Sequence, residues 1–266
     1  MEFKTLKFKE VEAGIGFIVL NRPDRLNALS LEMLEELHSL FDLLNHQPEL
    51  RVVILTGEGR GFCSGFDLKD ERIQKEGIQF VSNPGLHLTG IQKKYGDLVI
   101  RMRKVFQPII AAVNGPAAGG GMCLALASDV ILGSPKATFT PSFINIGLSG
   151  GEMGTTFFLP RLVGSTRAAE ILLTGRTVDA LEAEKIGLIC RVIAEDRLVP
   201  EALETARKML TKTSLGLRFT KEALNLNAGA SLEAAVELEN RNQSICFCGP
   251  DFLKAVAAFQ KKRKEV

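Results

Sequence analysis

The chain has 266 residues, of which 45% are hydrophobic and 24% charged. That balance excludes a disordered, collagenous or coiled-coil protein. Lys plus Arg number 33 against 31 Asp plus Glu, a formal net charge of +2, and basic residues cluster only in the tail KKRKEV; no phosphate-tracking surface and no nucleic acid partner are expected. Cysteines stand at 63, 123, 190, 246 and 248 without C-x-x-C pairs, which predicts free thiols in a reducing compartment and no metal site. The start, MEFKTLKFKE, has no apolar core of a leader peptide, and the longest apolar stretch, 109–132, is broken by Asn114, Pro116, glycines and Asp129. A cytoplasmic protein without a membrane span is therefore expected.

In chain order, GIGFIVL (14–20) and RVVILTG (51–57) are β-rich runs flanking a segment in which Leu31, Leu34, Leu37, Phe41 and Leu44 recur at helical spacing. Ser30 is the expected N-cap, with Glu32, Glu35 and Glu36 favoured near the helix start by its dipole. The pattern recurs with a strand at 109–113, a small-residue helix at 119–128 and a strand at 130–132. Repeated strand–helix units predict an α/β fold. Residues 70–95 carry weak periodicity and read as a long surface loop of the kind that sets binding specificity. Beyond Gly164 helices dominate, at 165–174, 179–186, 200–211, 217–226, 231–244 and 250–264. The expected organisation is a core over 1–198 and a helical C-terminal subdomain over 199–266, continuous as one domain because no low-complexity linker separates them.

Two glycine turns concentrate the chemical signal. In IIAAVNGPAAGGGMCLALASD (109–129) a strand runs through Gly115, Pro116 and three successive glycines directly into a helix. Each glycine costs a helix interior roughly 1 kcal/mol relative to alanine, so something there needs a bare backbone. Free N–H groups at that terminus suit an oxyanion or phosphate; tight helix–strand packing is the alternative. A second turn, GRGFCSGFDLK (59–69), follows another strand, and two such turns can jointly clamp one oxygen. GLSGG (147–151) satisfies the serine-hydrolase elbow, but His38, His46 and His87 all precede Ser149 and the required downstream histidine is missing. A dinucleotide fold needs G-x-G-x-x-G and an acidic residue ending the next strand, and neither is present.

NRPDRLNALS (21–30), GFCSGFDLK (61–69), NGPAAGGGMCLALASD (114–129) and AFQKKRK (258–264) together resemble, in order and spacing, the crotonase or enoyl-CoA hydratase/isomerase family over nearly the whole chain. The resemblance implies a superhelix of ββα repeats with a helical C-terminal trimerisation region, hence a homotrimer or dimer of trimers. It implies an acyl-CoA thioester ligand, with coenzyme A as part of the substrate and no prosthetic group. Carried over, Phe66 and Gly120 match the positions whose backbone N–H groups hold the thioester oxygen. Leu26, Ser64, Phe66 and Leu68 lie in segments that contact CoA in the family, and Phe259 and Lys262 match a C-terminal pair reaching toward its phosphates.

The departures are equally informative. By resemblance, family hydratases carry glutamates three residues after the middle glycine and twenty residues further on, where this chain has Cys123 and Phe143. Neither is a carboxylate, so standard two-glutamate hydration is not expected. Glu152, in GLSGGEMGTTFFLPRL (147–162), matches a turn where dienoyl-CoA isomerase relatives place a carboxylate that takes part in proton transfer. Its neighbours Met153, Phe157 and Phe158 suggest the apolar setting a general base needs; a glutamate at a helix start is the plainer alternative. Cys123, at a helix start, is expected to be a small buried cysteine, with an activated thiol as the lesser alternative, and Asp67 is expected to tie its turn together. The expected activity is enoyl-CoA double-bond isomerisation, with an inactive acyl-CoA binder or a hydratase using an atypical acid/base as alternatives.

Overall fold

The computed structural model describes residues 2–72, 74, 75 and 83–264, the side chains of 258, 259 and 261–264 excepted. Strands β1 (Leu6–Glu12) and β2 (Ile15–Leu20) form an antiparallel hairpin whose turn uses Gly14 at φ 84°. From β2 the sheet continues in parallel through β3 (Val52–Gly57), β4 (Ile109–Val113), β6 (Val130–Gly133) and β9 (Arg191–Val192). Between these, β5 (Pro116–Ala118), β7 (Thr138–Thr140) and β8 (Val178–Asp179) build a second, three-stranded sheet. The chain thus visits the large sheet at β4 and the small one at β5 before a helix, then repeats the move with β6 and β7. That alternation is the expected ββα spiral.

Strands β3 and β4, VVILTG and IIAAV, are buried at every position, as continuous apolar runs covered on both faces must be. One face lies under α1 (Leu31–Leu44), which starts where the Ser30 hydroxyl accepts from the Met33 N–H at 3.2 Å. Leu34, Leu37, Phe41 and Leu44 of α1 are fully buried. On the other face Ile15, Val52, Ile54, Ile110 and Ala112 meet Leu198, Ala202 and Ala206 of a later helix (Leu198–Leu210).

The expected loop at 70–95 requires correction. From Pro84 the chain is helical, through α2 (Pro84–His87), a π-helical turn at Leu88–Gln92 and α3 (Lys93–Lys104). Ile91, Tyr95, Leu98, Val99 and Met102 are its buried face. Gly96 and the charged residues between these positions weakened the helical signal. Residues 73 and 76–82 of that segment lie outside the described residues.

The helices that follow are α4 (Gly120–Leu126), α5 (Thr155–Val163), α6 (Ser165–Thr174), α7 (Ala180–Lys185), α8 (Leu198–Leu210), α9 (Ser214–Leu226), α10 (Leu232–Phe247) and α11 (Pro250–Lys264). Sequence periodicity missed α5, whose Pro160 lies inside the helix. Helix α9 is docked by a nearly buried ammonium: Lys221 Nζ lies 2.9 Å from Asp129 Oδ2 and donates to the Gln107 carbonyl at 2.8 Å. Burial pulls that lysine below its usual range, and Asp129 opposes the shift. No helix among the described residues is long and apolar enough to cross a membrane.

Candidate active site

The two glycine turns meet. Phe62 and Cys63 N–H both donate to the Pro116 carbonyl at 3.1 Å, and Ala118 N–H returns a bond to Cys63 at 2.9 Å, closing a parallel bridge between Cys63 and Ala117. Gly65, at φ 91°, lies so near the other turn that a Cβ there would be 2.7 Å from the Ala118 oxygen and 3.2 Å from the Gly120 nitrogen. Gly119 adopts φ 49°, ψ −121° as it enters α4, a conformation open essentially to glycine. Among the described residues, neither Phe66 N–H nor Gly120 N–H donates to a protein acceptor. Adjacent unspent amide donors can receive the negative charge that develops on a carbonyl oxygen.

The first motif supports this pair from behind. Leu29 N–H donates to Gly65 at 2.7 Å and Asp67 N–H to Leu29 at 3.1 Å, bracketing Phe66. Asp67 is 6% exposed and pairs with Arg22 at 2.7 Å, while Arg22 also donates to the Ala28 carbonyl at 2.6 Å. Asp67 therefore ties the turn together as expected. Asn27, fully buried at φ 55°, donates to the carbonyls of Glu58 and Gly61, both at 2.9 Å. The Phe66 ring packs on Tyr95 at 4.1 Å and on Phe143 at 5.4 Å between centroids. Tyr95 and Asn27 were not singled out from sequence, although an asparagine inside a turn-rich motif is a recognisable signal for such bracing.

Cys123 is buried and donates to Gly119 at 3.2 Å. Burial pushes its thiol well above the ordinary value, with Glu152 and Cys63 adding to the effect. Burial outweighs activation by the helix start, in line with the small buried cysteine expected at this position. Its sulfur also lies 3.5 Å from the Glu152 carbonyl, linking α4 to the turn that carries Glu152. Phe143 is 3% exposed, and its ring faces Gly119. It offers no proton-transfer group.

Glu152 is half-buried, and hydrogen-bond donors hold its carboxylate. Gln92 Nε2 donates to Oε1 at 2.6 Å and Oε2 at 2.7 Å, and Met153 N–H reaches Oε1 at 3.2 Å. Glu152 N–H bonds the Thr155 hydroxyl at 3.0 Å. Met153 follows at φ 43°, a left-handed conformation costing a non-glycine residue roughly 1–2 kcal/mol. Gln92 was missed because it sits in the segment read as a loop.

Glu152 and Gln92 line an open cavity of about 1440 Å³ between α3, α5 and α9, with apolar walls that include Ile100, Phe157, Phe158 and Leu224. Its lining reaches Glu152 and Met153 but not Phe66 or Gly120. The amide pair is thus outside the cavity lining, and the carboxylate turn is tied to α4 through the Cys123 contact. Leu26, Ser64 and Leu68 flank the amide pair: Ser64 N–H donates to Leu26 at 3.0 Å, and Leu68 is 61% exposed. Phe259 and Lys262 fall on α11, with side chains outside the described residues.

The chain thus combines a parallel-sheet spiral, two interlocked bare-backbone turns and a braced carboxylate on the turn that Cys123 contacts. A family model described as enoyl-CoA hydratase/isomerase matches residues 10–266. A protein named probable enoyl-CoA hydratase echA12 from Mycobacterium leprae is 40% identical over 255 residues, covering 95% of this chain and 86% of that one. The 1,2-epoxyphenylacetyl-CoA isomerase of Escherichia coli is 35% identical, with 95% and 94% covered. The crystal structure of an enoyl-CoA hydratase from Bacillus anthracis superposes with a TM-score of 0.89 at 31% identity, covering 97% of each chain. The chain belongs to the enoyl-CoA hydratase/isomerase family of enzymes and has its crotonase fold.

Proposed function

We propose that the protein moves the double bond of a 3-enoyl-CoA to the 2,3 position, using Phe66 and Gly120 N–H as the oxyanion hole and Glu152 as the proton carrier. Glu152 takes the proton from the α-carbon, and the electron pair delocalises onto the thioester oxygen held by the two amides. The same carboxyl then returns the proton to the γ-carbon, so one acid/base group completes the reaction. Hydration asks for more, because water must lose a proton while the α-carbon gains one. The observation that carries this reading is a carboxylate on the turn that Cys123 of α4 contacts, with a buried thiol at Cys123 and a phenyl ring at Phe143 where, by resemblance, family hydratases place glutamates.

The acyl group extends past Glu152 into the cavity of about 1440 Å³, while CoA runs along Leu26, Ser64, Phe66 and Leu68 toward Phe259 and Lys262. Exposed Leu232, Val236, Phe247 and Leu253 on α10 and α11 fit a homotrimer or dimer of trimers. The test is a comparison of 3-hexenoyl-CoA isomerisation with crotonyl-CoA hydration. Isomerisation is expected to be faster; faster hydration refutes the reading, and tight binding without turnover of either points to a binder.

A further inference from the structure

We propose that Gln92 is a positioning residue that aims the Glu152 carboxylate, an inference resting on Glu152 being the proton carrier. One Gln92 nitrogen lies 2.6 and 2.7 Å from the two carboxylate oxygens, across 60 residues of sequence. With Met153 N–H on Oε1, these donors fix the carboxylate plane and leave one lone pair, on Oε2, for substrate. A bare glutamate has three side-chain torsions, and proton transfer tolerates only a small part of their range.

The chain's local geometry serves that contact. Gln92 ends the π-helical turn Leu88–Gln92, in which Lys93 N–H reaches back to the Leu88 carbonyl. Such turns are an uncommon departure from α geometry and cluster at functional positions. Ile91, 6% exposed, anchors the turn in the core, and Tyr95, one turn on, packs against Phe66 and donates to the Leu29 carbonyl at 3.2 Å. One helical segment therefore touches both the carboxylate and the residue whose amide faces the oxyanion.

The chemistry of an amide suits the task. Lysine or arginine at 92 would hold the carboxylate equally well but would favour its ionised form strongly and weaken it as a base. Glutamine donates without a charge and does not titrate. Among the described residues Glu152 forms no ion pair.

The test uses Gln92→Met, which keeps length and bulk but removes the donors, together with Glu152→Gln and the double variant, on 3-hexenoyl-CoA. Gln92→Met should lower kcat by about 10–100-fold with KM within about twofold. The double variant should be no slower than Glu152→Gln alone, because Gln92 acts through that carboxylate. Unchanged thermal unfolding separates positioning from a structural role. If Glu152→Gln is inactive while Gln92→Met keeps wild-type kcat, or if the two losses multiply, the role of Gln92 is wrong. If Glu152→Gln itself retains activity, the underlying reading fails and this inference fails with it.

Discussion

The α-carbon of Gly121 faces the Cys63 carbonyl so closely that a Cβ at position 121 would sit 2.0 Å from that oxygen. At Gly120 a Cβ would meet Leu29 Cδ1 at 2.8 Å and the Phe66 ring at 3.3 Å. The three glycines of this turn thus differ in purpose: Gly119 for its dihedral angles, Gly120 for side-chain clearance and Gly121 for backbone contact between the two turns.

Gly121→Ala should therefore destabilise by about 3 kcal/mol or more, since main chain must move. Gly120→Ala should cost about 1 kcal/mol, because the methyl group displaces side-chain ends. Activity should follow the opposite emphasis in Gly120→Ala, which stays folded but turns over slowly, as the methyl pushes against Phe66. Urea unfolding beside isomerisation rates checks both; equal destabilisation by the two substitutions would contradict the assignment.

The buried thiols give a pH dependence with a definite sign. Burial pushes Cys63 up to about 12, and Cys123 is also raised. Above about pH 8.5 unfolded thiols lose their protons while the folded ones keep them. The native state then binds more protons, so stability falls as pH rises, by up to about 1.4 kcal/mol per pH unit for each thiol, and for Cys63 until about pH 12. Urea unfolding at pH 8, 9 and 10 should show this decline, and Cys63→Ala should make it shallower. An unchanged slope in that variant would contradict it.

Much of this architecture was legible in the sequence because its signals are local. The apolar runs of β2, β3 and β4, the helical spacing from Leu31 to Leu44 and the Ser30 cap all act over a few residues. The glycine turns announced themselves by the penalty they impose on a helix start. What stayed hidden depends on distant partners. Short strands such as β5, β7 and β8 exist only through pairing, the helix at 93–104 has a charged outer face that masks its buried one, and the Gln92 contact with Glu152 spans 60 residues. The apolar setting expected for Glu152 was half right: Met153, Phe157 and Phe158 share its cavity, but donors hold the carboxylate itself.

The Lys221, Asp129 and Arg103 cluster should respond unequally to substitution. Asp129 accepts from Lys221 at 2.9 Å, Arg103 at 3.0 Å and the Ile109 N–H at 2.8 Å. Asp129→Ala leaves a nearly buried ammonium without its counter-charge and should cost about 3–5 kcal/mol. Lys221→Met leaves Asp129 paired with Arg103 and should cost markedly less. Thermal unfolding of the two variants checks this, and a larger loss in Lys221→Met would contradict it.

The most direct measurement is kcat for 3-hexenoyl-CoA isomerisation by Glu152→Gln, with acyl-CoA affinity measured alongside. If Glu152 carries the proton between the α- and γ-carbons while the Phe66 and Gly120 amides hold the dienolate oxygen, the rate should fall roughly 10²–10⁴-fold and affinity should hardly change. A rate within about threefold of the wild type would place the proton transfer on another group and overturn the account.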